Sequence, residues 1–217
     1  MKKNLIYVII SIVLYFSLKN FIPYWNYFIY PIDLFTTFLH EFGHGFFSII
    51  SGWTLHTLDI NSDTSWVATT SGWVPWMIVS GWYIGSALFG ALLLFSWANL
   101  KKYNNHLTLV LIALLFTSSF LWFADWTSTL IQLWMAWTIL FLYKYCRDYL
   151  WVIYQIFGSL SLCHIIQDFN VWPTSDLKNF SWILPATIWM YIWLLIVVLI
   201  FVFTIKITYF NFNKKTY

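Results

Sequence analysis

Long apolar runs, separated by short polar intervals, restrict the fold of this chain more than any other feature of its sequence. Seven runs lie at about residues 4–22, 27–50, 74–97, 106–123, 127–143, 149–167 and 180–205. A helix needs about 20 apolar residues to cross the hydrocarbon core of a bilayer, and these runs approach or exceed that length. Because backbone polar groups inside a bilayer need internal partners, each run is expected to form a helix.

The charge content excludes the common classes of water-soluble protein. Charged residues make up 9% of the chain and hydrophobic residues 61%, whereas a soluble domain carries about 25% charged residues. So few charges cannot cover a water-facing surface, and they do not form a nucleic-acid-binding patch. The sequence predicts an integral multi-pass membrane protein in contact with the lipid bilayer, with no nucleic-acid partner. We see no linker or repeat, so we expect one membrane-embedded domain over residues 1–217. The membrane that houses it and its oligomeric state stay open.

The one glutamate in the chain lies in the middle of the second apolar run. Glu41 directly follows His40 and stands three residues before His44, so the segment reads H-E-x-x-H. Ionisable side chains at membrane depth are costly and by default mark function. Two histidines at i and i+4 share one helix face and suit two ligands of one Zn²⁺, while the adjacent glutamate can serve as general base. The motif predicts one zinc ion per chain on His40 and His44, with Glu41 as the catalytic residue.

The longest polar interval, residues 51–72, predicts a β-hairpin. Polar and apolar residues alternate in part on both sides of Asn61-Ser62-Asp63, as strands flanking a turn do. Its flanks are apolar, so we expect it at the membrane interface or beside the second run. The predicted fold class is therefore an all-α polytopic membrane protein with about six to seven transmembrane helices and a short β-hairpin after the H-E-x-x-H helix.

These features together resemble the site-2-protease family of intramembrane zinc metalloproteases, in its compact branch without extra domains. The similar stretches are His40 to Gly45, the glycine-rich Gly81 to Gly90, and Ser175-Asp176 followed by Pro185, Trp189 and Trp193. Small residues four apart, as in the second stretch, allow helices to approach closely. The resemblance implies hydrolysis of a peptide bond in or near a transmembrane segment of a substrate protein, by zinc-activated water with Glu41 as base. It also implies that the Thr54 to Thr70 hairpin binds an unwound substrate segment by strand addition, with a simple connecting hairpin as the alternative.

A zinc site of this kind needs a third protein ligand, and the family supplies it from a downstream aspartate. Asn170 and Pro173 precede Asp176 in the family's order, although the Pro–Asp gap is two residues shorter and Leu177 stands in place of a glycine. Asp176 is the preferred ligand and Asp168, at the end of the sixth run, is the alternative. Asp125, His164 or no third ligand also stay open. Asp168 and Asn170 are further candidates to hydrogen-bond a zinc-bound histidine.

Three other polar residues have simpler interpretations. Asp33, seven residues before His40, is expected to cap a helix starting at Pro31, with a contact to the metal site as the alternative. His56 in the hairpin and His106 at the start of a run are expected to lie at the interface rather than to bind metal.

Two other functions compete with proteolysis. The chain can be a proteolytically inactive membrane scaffold or binding protein that retains a zinc site, or an ion or proton carrier that uses histidine and aspartate as relay groups. Orientation also stays open. The positive-inside rule puts the motif in the exterior half of its run, whereas the family resemblance puts it near the cytoplasm.

Overall fold

The computed structural model describes residues 2–21, 24–61, 66–71, 75–99, 103–168 and 184–211, which form seven α-helices and one antiparallel hairpin. The elements are α1 (Lys2–Phe21), α2 (Trp25–Ile50), β1 (Thr54–Ile60), β2 (Trp66–Ser71), α3 (Pro75–Asn99), α4 (Asn104–Leu121), α5 (Trp126–Tyr145), α6 (Leu150–Asp168) and α7 (Ala186–Lys206). A 3₁₀ turn, Arg147–Tyr149, precedes α6, and a π-helix, Ile207–Asn211, follows α7. Each predicted apolar run contains one of these helices, whose backbone groups find partners within the helix.

One helical stretch in the described residues, Thr187–Tyr209, is long and apolar enough to cross a membrane by length and composition. Shorter apolar stretches lie within α1, α3, α4 and α6. The helical architecture and the hairpin are thus confirmed, whereas the count of six to seven transmembrane helices stays a prediction.

Helix α3 lies at the centre of the fold and packs against α2, α6 and α7. Its contact with α2 is backbone against backbone, since a Cβ placed on Gly85 would lie 2.8 Å from the Cα of Gly43. Its contact with α6 is equally close, since a Cβ on Gly158 would lie 2.8 Å from the carbonyl oxygen of Gly90. Glycine lets these helices meet without a side chain between them. Gly43 lies inside the H-E-x-x-H segment, so α3 holds that segment directly.

The hairpin confirms the prediction for the polar interval and departs from simple alternation at one point. Leu58 pairs with Ala68 and Ile60 with Trp66, while the register shifts between Leu55 and Thr57. This irregularity turns Leu55 and Leu58, three residues apart, to the same buried face. They join Phe38 and Leu39 of α2 in the largest apolar cluster, which fixes the hairpin against the motif helix.

Residues at the corner between α4 and α5 form hydrogen bonds with the backbone groups of β1 that point away from β2. The Leu58 N–H donates to the carbonyl oxygen of Trp122 at 3.0 Å, and the Ile60 N–H donates to Ser128 Oγ at 3.0 Å. Ser128 Oγ donates in turn to the Leu58 carbonyl at 3.2 Å. Gln132 donates from Nε2 to the same carbonyl at 3.5 Å, and its Oε1 accepts from Ser118 Oγ at 2.7 Å. An edge strand in apolar surroundings needs such partners for its backbone groups, so β1 is anchored on both sides.

We expect Ser128→Ala to loosen this anchor. Ile60 is fully buried, and its N–H would lose its acceptor, at a cost of about 1–3 kcal/mol for an unsatisfied buried donor. Thermal unfolding in detergent measures the change. The matched control is Thr117→Ala on α4, because the exposed Thr117 hydroxyl donates to carbonyls of its own helix. The free energy of unfolding of this variant should differ from the wild type by no more than about 0.5 kcal/mol. Equal shifts for the two variants would contradict the anchoring role.

The prediction that Asp33 caps a helix starting at Pro31 is wrong. Helix α2 begins at Trp25, and Pro31 lies inside it. A proline removes one backbone hydrogen bond, but the apolar run continues on both sides, so the helix does not stop there. The Asp33 carbonyl accepts the hydroxyls of Thr36 and Thr37 within α2, at 2.9 and 2.7 Å.

An apolar groove of about 400 Å³ separates parts of α2 and α5. The residues that line it are Tyr30, Leu34, Thr127, Leu130, Ile131 and Trp134. The two helices make little direct contact with each other, in contrast to the close pairs α2–α3 and α4–α5. The side of α2 opposite its contact with α3 is therefore less tightly packed.

Candidate metal centre

The structure brings His40, Glu41 and His44 together on α2. One ligand atom from each of the three lies within 4.8 Å of the other two. The imidazole rings of His40 and His44 lie one helical turn apart, with centroids separated by 5.5 Å and ring planes tilted by 59°. Glu41 is 6% exposed and His44 7% exposed, so both are buried, whereas His40 is partly buried. Within the described part of the chain, it is the one group of three histidine, cysteine or acidic residues close enough to hold a metal ion.

Two glycines next to His44 explain why this turn of α2 fits so tightly into the fold. Gly43 meets Gly85 of α3, as described above. Gly45 faces β1, where an added Cβ would overlap the side chain of Leu55. The motif turn is therefore held between α3 on one side and the hairpin on the other.

The two carboxylate oxygens of Glu41 have different neighbours. Oε1 lies 3.4 Å from His40 Nε2. Oε2 accepts a hydrogen bond of 2.8 Å from the backbone N–H of Ala68 in β2. The sequence does not predict this second contact, because every residue except proline has a backbone N–H and the residue type does not show where it points.

The direction of the Ala68 N–H follows from the pairing of the two strands. In an antiparallel ladder, opposite residues alternate between pairs that bond each other and pairs whose backbone groups point outward. The backbone N–H groups of Leu58 and Ile60 point away from β2, toward Trp122 and Ser128. The partner of Leu58 is Ala68, so the backbone groups of Ala68 point outward from the opposite edge. That edge of β2 faces Glu41.

The donor set suits a zinc ion. Imidazole nitrogen and carboxylate oxygen are both zinc ligands, and two histidines one turn apart can converge on one ion. Structural and catalytic zinc sites add further ligands, and the candidates for a third lie largely outside the described residues. Asn170 and Asp176 lie outside them entirely, as do the side chains of His164 and Asp168. Asp168 is the last residue of α6.

The remaining candidate, Asp125, and two histidines that were expected not to bind metal lie elsewhere. Asp125 caps α5, since its carboxylate accepts the N–H of Ser128 at 2.6 Å. His56 Nε2 forms a hydrogen bond of 2.7 Å with Ser71 Oγ across the open end of the hairpin. His106 is exposed near the start of α4. These three residues do not belong to the cluster on α2.

The comparisons with known proteins agree with the motif. Among models of protein families, the one described as Peptidase M50B-like matches residues 6–204, which include the motif, the hairpin and most of α7. No curated protein and no solved structure matches the chain. The family match confirms the resemblance to the site-2-proteases that the sequence indicated. Since it covers far more than half of the sequence, the chain belongs to the Peptidase M50B-like family.

Proposed function

We propose that this protein is a multi-pass membrane zinc endopeptidase of the site-2-protease type, which cleaves another protein in or near a transmembrane segment. One observation carries the proposal. The single glutamate of the chain lies buried between two histidines on α2, with its carboxylate against the edge of a hairpin. Membership of a metallopeptidase family supports the same chemistry at a general level.

The surface of the fold supports a location in the bilayer. Large apolar side chains point outward on the helices at the periphery, and each of the following is more than half exposed: Ile9, Val13, Val110, Phe116, Leu130, Trp137, Leu195 and Leu199. Soluble monomers rarely expose continuous apolar patches larger than a few hundred Å². Lipid tails are the natural cover for such a surface, and a single embedded domain is the simplest arrangement.

Two residues of α2 would bind the metal, and a third would transfer the proton. His40 and His44 would hold one Zn²⁺, with Asp176 or Asp168 as the third protein ligand and Asn170 as a partner of a ligand histidine. When bound, the ion supplies a Lewis acid that polarises the scissile carbonyl and makes water more acidic. Glu41 takes a proton from the attacking water through Oε1 as the oxygen bonds to the carbonyl carbon. It then gives the proton to the leaving nitrogen as the C–N bond breaks.

The hairpin from Thr54 to Thr70 is proposed to bind the unwound substrate along β2. The outer edge of β1 is already bonded to the α4–α5 corner, whereas the outer edge of β2 faces the motif. By the alternation of the ladder, Trp66 and Thr70 point their backbone groups in the same direction as Ala68. A substrate strand added there would pass beside Glu41.

Bound metal in detergent-purified protein tests the proposal. We expect about one zinc per chain in the wild type and loss of zinc in His44→Ala. One of Asp168→Ala and Asp176→Ala should also lose the metal, which would identify the third ligand. His56→Ala removes a histidine outside the cluster and should keep the zinc. A wild-type protein that binds no zinc when zinc is supplied would overturn the proposal.

A further inference from the structure

The amide of Ala68 makes a contact with Glu41 that neither zinc binding nor substrate pairing requires. Its N–H donates to Glu41 Oε2 at 2.8 Å, and the other oxygen, Oε1, lies on the side of His40 Nε2 at 3.4 Å. The donor is part of a paired strand that is anchored to a different pair of helices. A donor fixed in this way holds its position better than a side chain on a flexible stem.

This contact fixes the orientation of the Glu41 carboxylate, with Oε2 toward Ala68 and Oε1 toward His40. A glutamate side chain has three rotatable bonds, and burial alone does not select one orientation of its carboxylate. A hydrogen bond from a backbone amide to an ionised oxygen is short and strong. With Oε2 held by Ala68, Oε1 lies on the side of His40, where a base must meet the water.

We propose that the backbone N–H of Ala68 is the positioning donor for the general base Glu41, so that the hairpin aligns the base as well as binding the substrate. The inference rests on the proposed function, because it assigns Glu41 the role of base. It also restricts the substrate. A strand added to β2 cannot use the N–H of Ala68 while Glu41 accepts it, so its pairing is interrupted beside the base.

Proline substitution isolates this donor. Ala68→Pro removes an N–H that points away from β1, and proline is tolerated at such edge positions because no ladder bond is lost. We expect kcat to fall by about 10²-fold, the scale of a misplaced catalytic group, with little change in KM and with zinc retained. Thr70→Pro is the comparison variant, since it removes an N–H with the same outward direction that the substrate strand would use. It should raise KM and lower kcat far less than Ala68→Pro does. Ala68→Gly keeps the N–H and should keep the wild-type kcat.

A second measurement tests the contact without any cleavage. Alanine is rare in this chain, with eight residues of which Ala68 is the first, so ¹⁵N-alanine labelling gives few amide signals. The Ala68 signal is assigned by its loss in Ala68→Gly. A hydrogen bond to a carboxylate moves the amide proton downfield, and we expect this shift to disappear in Glu41→Ala and to persist in part in Glu41→Gln.

The outcomes separate this inference from the proposed function. Equal kcat values for Ala68→Pro and Thr70→Pro would overturn the positioning role even if the protein is a protease. An Ala68 amide shift that does not respond to Glu41→Ala would overturn the contact itself, whether or not any substrate is cleaved. If Ala68→Pro does not fold, as judged by zinc content and thermal unfolding, the amide shift decides.

Discussion

Glu41→Gln is expected to abolish peptide-bond hydrolysis while the metal stays bound. Glutamine has the same size as glutamate and keeps an oxygen that can accept the Ala68 N–H, which lies 2.8 Å from the carboxylate in the wild type. It cannot take a proton from water. A positioned general base contributes about 10²–10⁴-fold to the rate, so kcat should fall by at least that factor. Cleavage of a panel of transmembrane-segment reporters in the same membrane measures the effect.

Zinc content and stability serve as controls for this variant. Glu41→Gln should bind as much zinc as the wild type and unfold at a similar temperature, whereas His44→Ala should lose metal and activity together. A wild-type cleavage rate in Glu41→Gln would refute the role of Glu41. A wild type that binds zinc but cleaves no reporter in the panel would favour the inactive scaffold over the protease.

Gly85→Val is expected to damage the fold and the metal site at once. A Cβ at this position would lie 2.8 Å from the Cα of Gly43, closer than side-chain carbons approach a backbone. Neither partner is a flexible side chain that can move aside, so the two helices must separate. Overpacking costs about 1–3 kcal/mol in ordinary cores, and we expect the upper end of that range. Because Gly43 lies between His40 and His44, zinc affinity should fall together with the unfolding temperature.

The matched control enlarges a small residue where space is available. Ala113 is exposed on α4, so Ala113→Val should change the free energy of unfolding by no more than about 0.5 kcal/mol and leave zinc binding intact. Thermal unfolding and bound zinc are measured on both variants. If Gly85→Val had the stability and the zinc content of the wild type, the close contact between α2 and α3 would not exist in the protein.

Local patterns made most of the fold predictable. A run of apolar residues determines a helix in apolar surroundings, and the seven runs became seven helices because each satisfies its own backbone. Partial alternation around Asn61 predicted the hairpin, and small residues spaced along α3 predicted close packing at Gly85 and Gly90. The cluster on α2 could be predicted from the sequence for the same reason, since residues i and i+4 of one helix are neighbours whatever surrounds them.

Contacts between distant segments were not predictable in this way. The bond from Ala68 to Glu41 joins residues 27 positions apart, and it depends on which way a backbone amide points. The strand register shifts near His56, so polar and apolar residues do not alternate strictly there. Burying both Leu55 and Leu58 stabilises the hairpin more than a regular register would. Asp33 was misjudged because the residues before Pro31 are also apolar enough to be helical. The choice between Asp168 and Asp176 concerns side chains outside the described residues.

The anchoring of the hairpin has a mechanical consequence. β1 is bonded to the corner of α4 and α5, while β2 is bonded to Glu41 of α2, which Gly43 and Gly85 join closely to α3. The hairpin thus connects two helix pairs that are separated along part of their length by an apolar groove. Any displacement of one pair relative to the other must deform the hairpin or break its hydrogen bonds to the helices. Because the Ala68 N–H joins β2 to the carboxylate of Glu41, such a displacement would also change the position of that carboxylate.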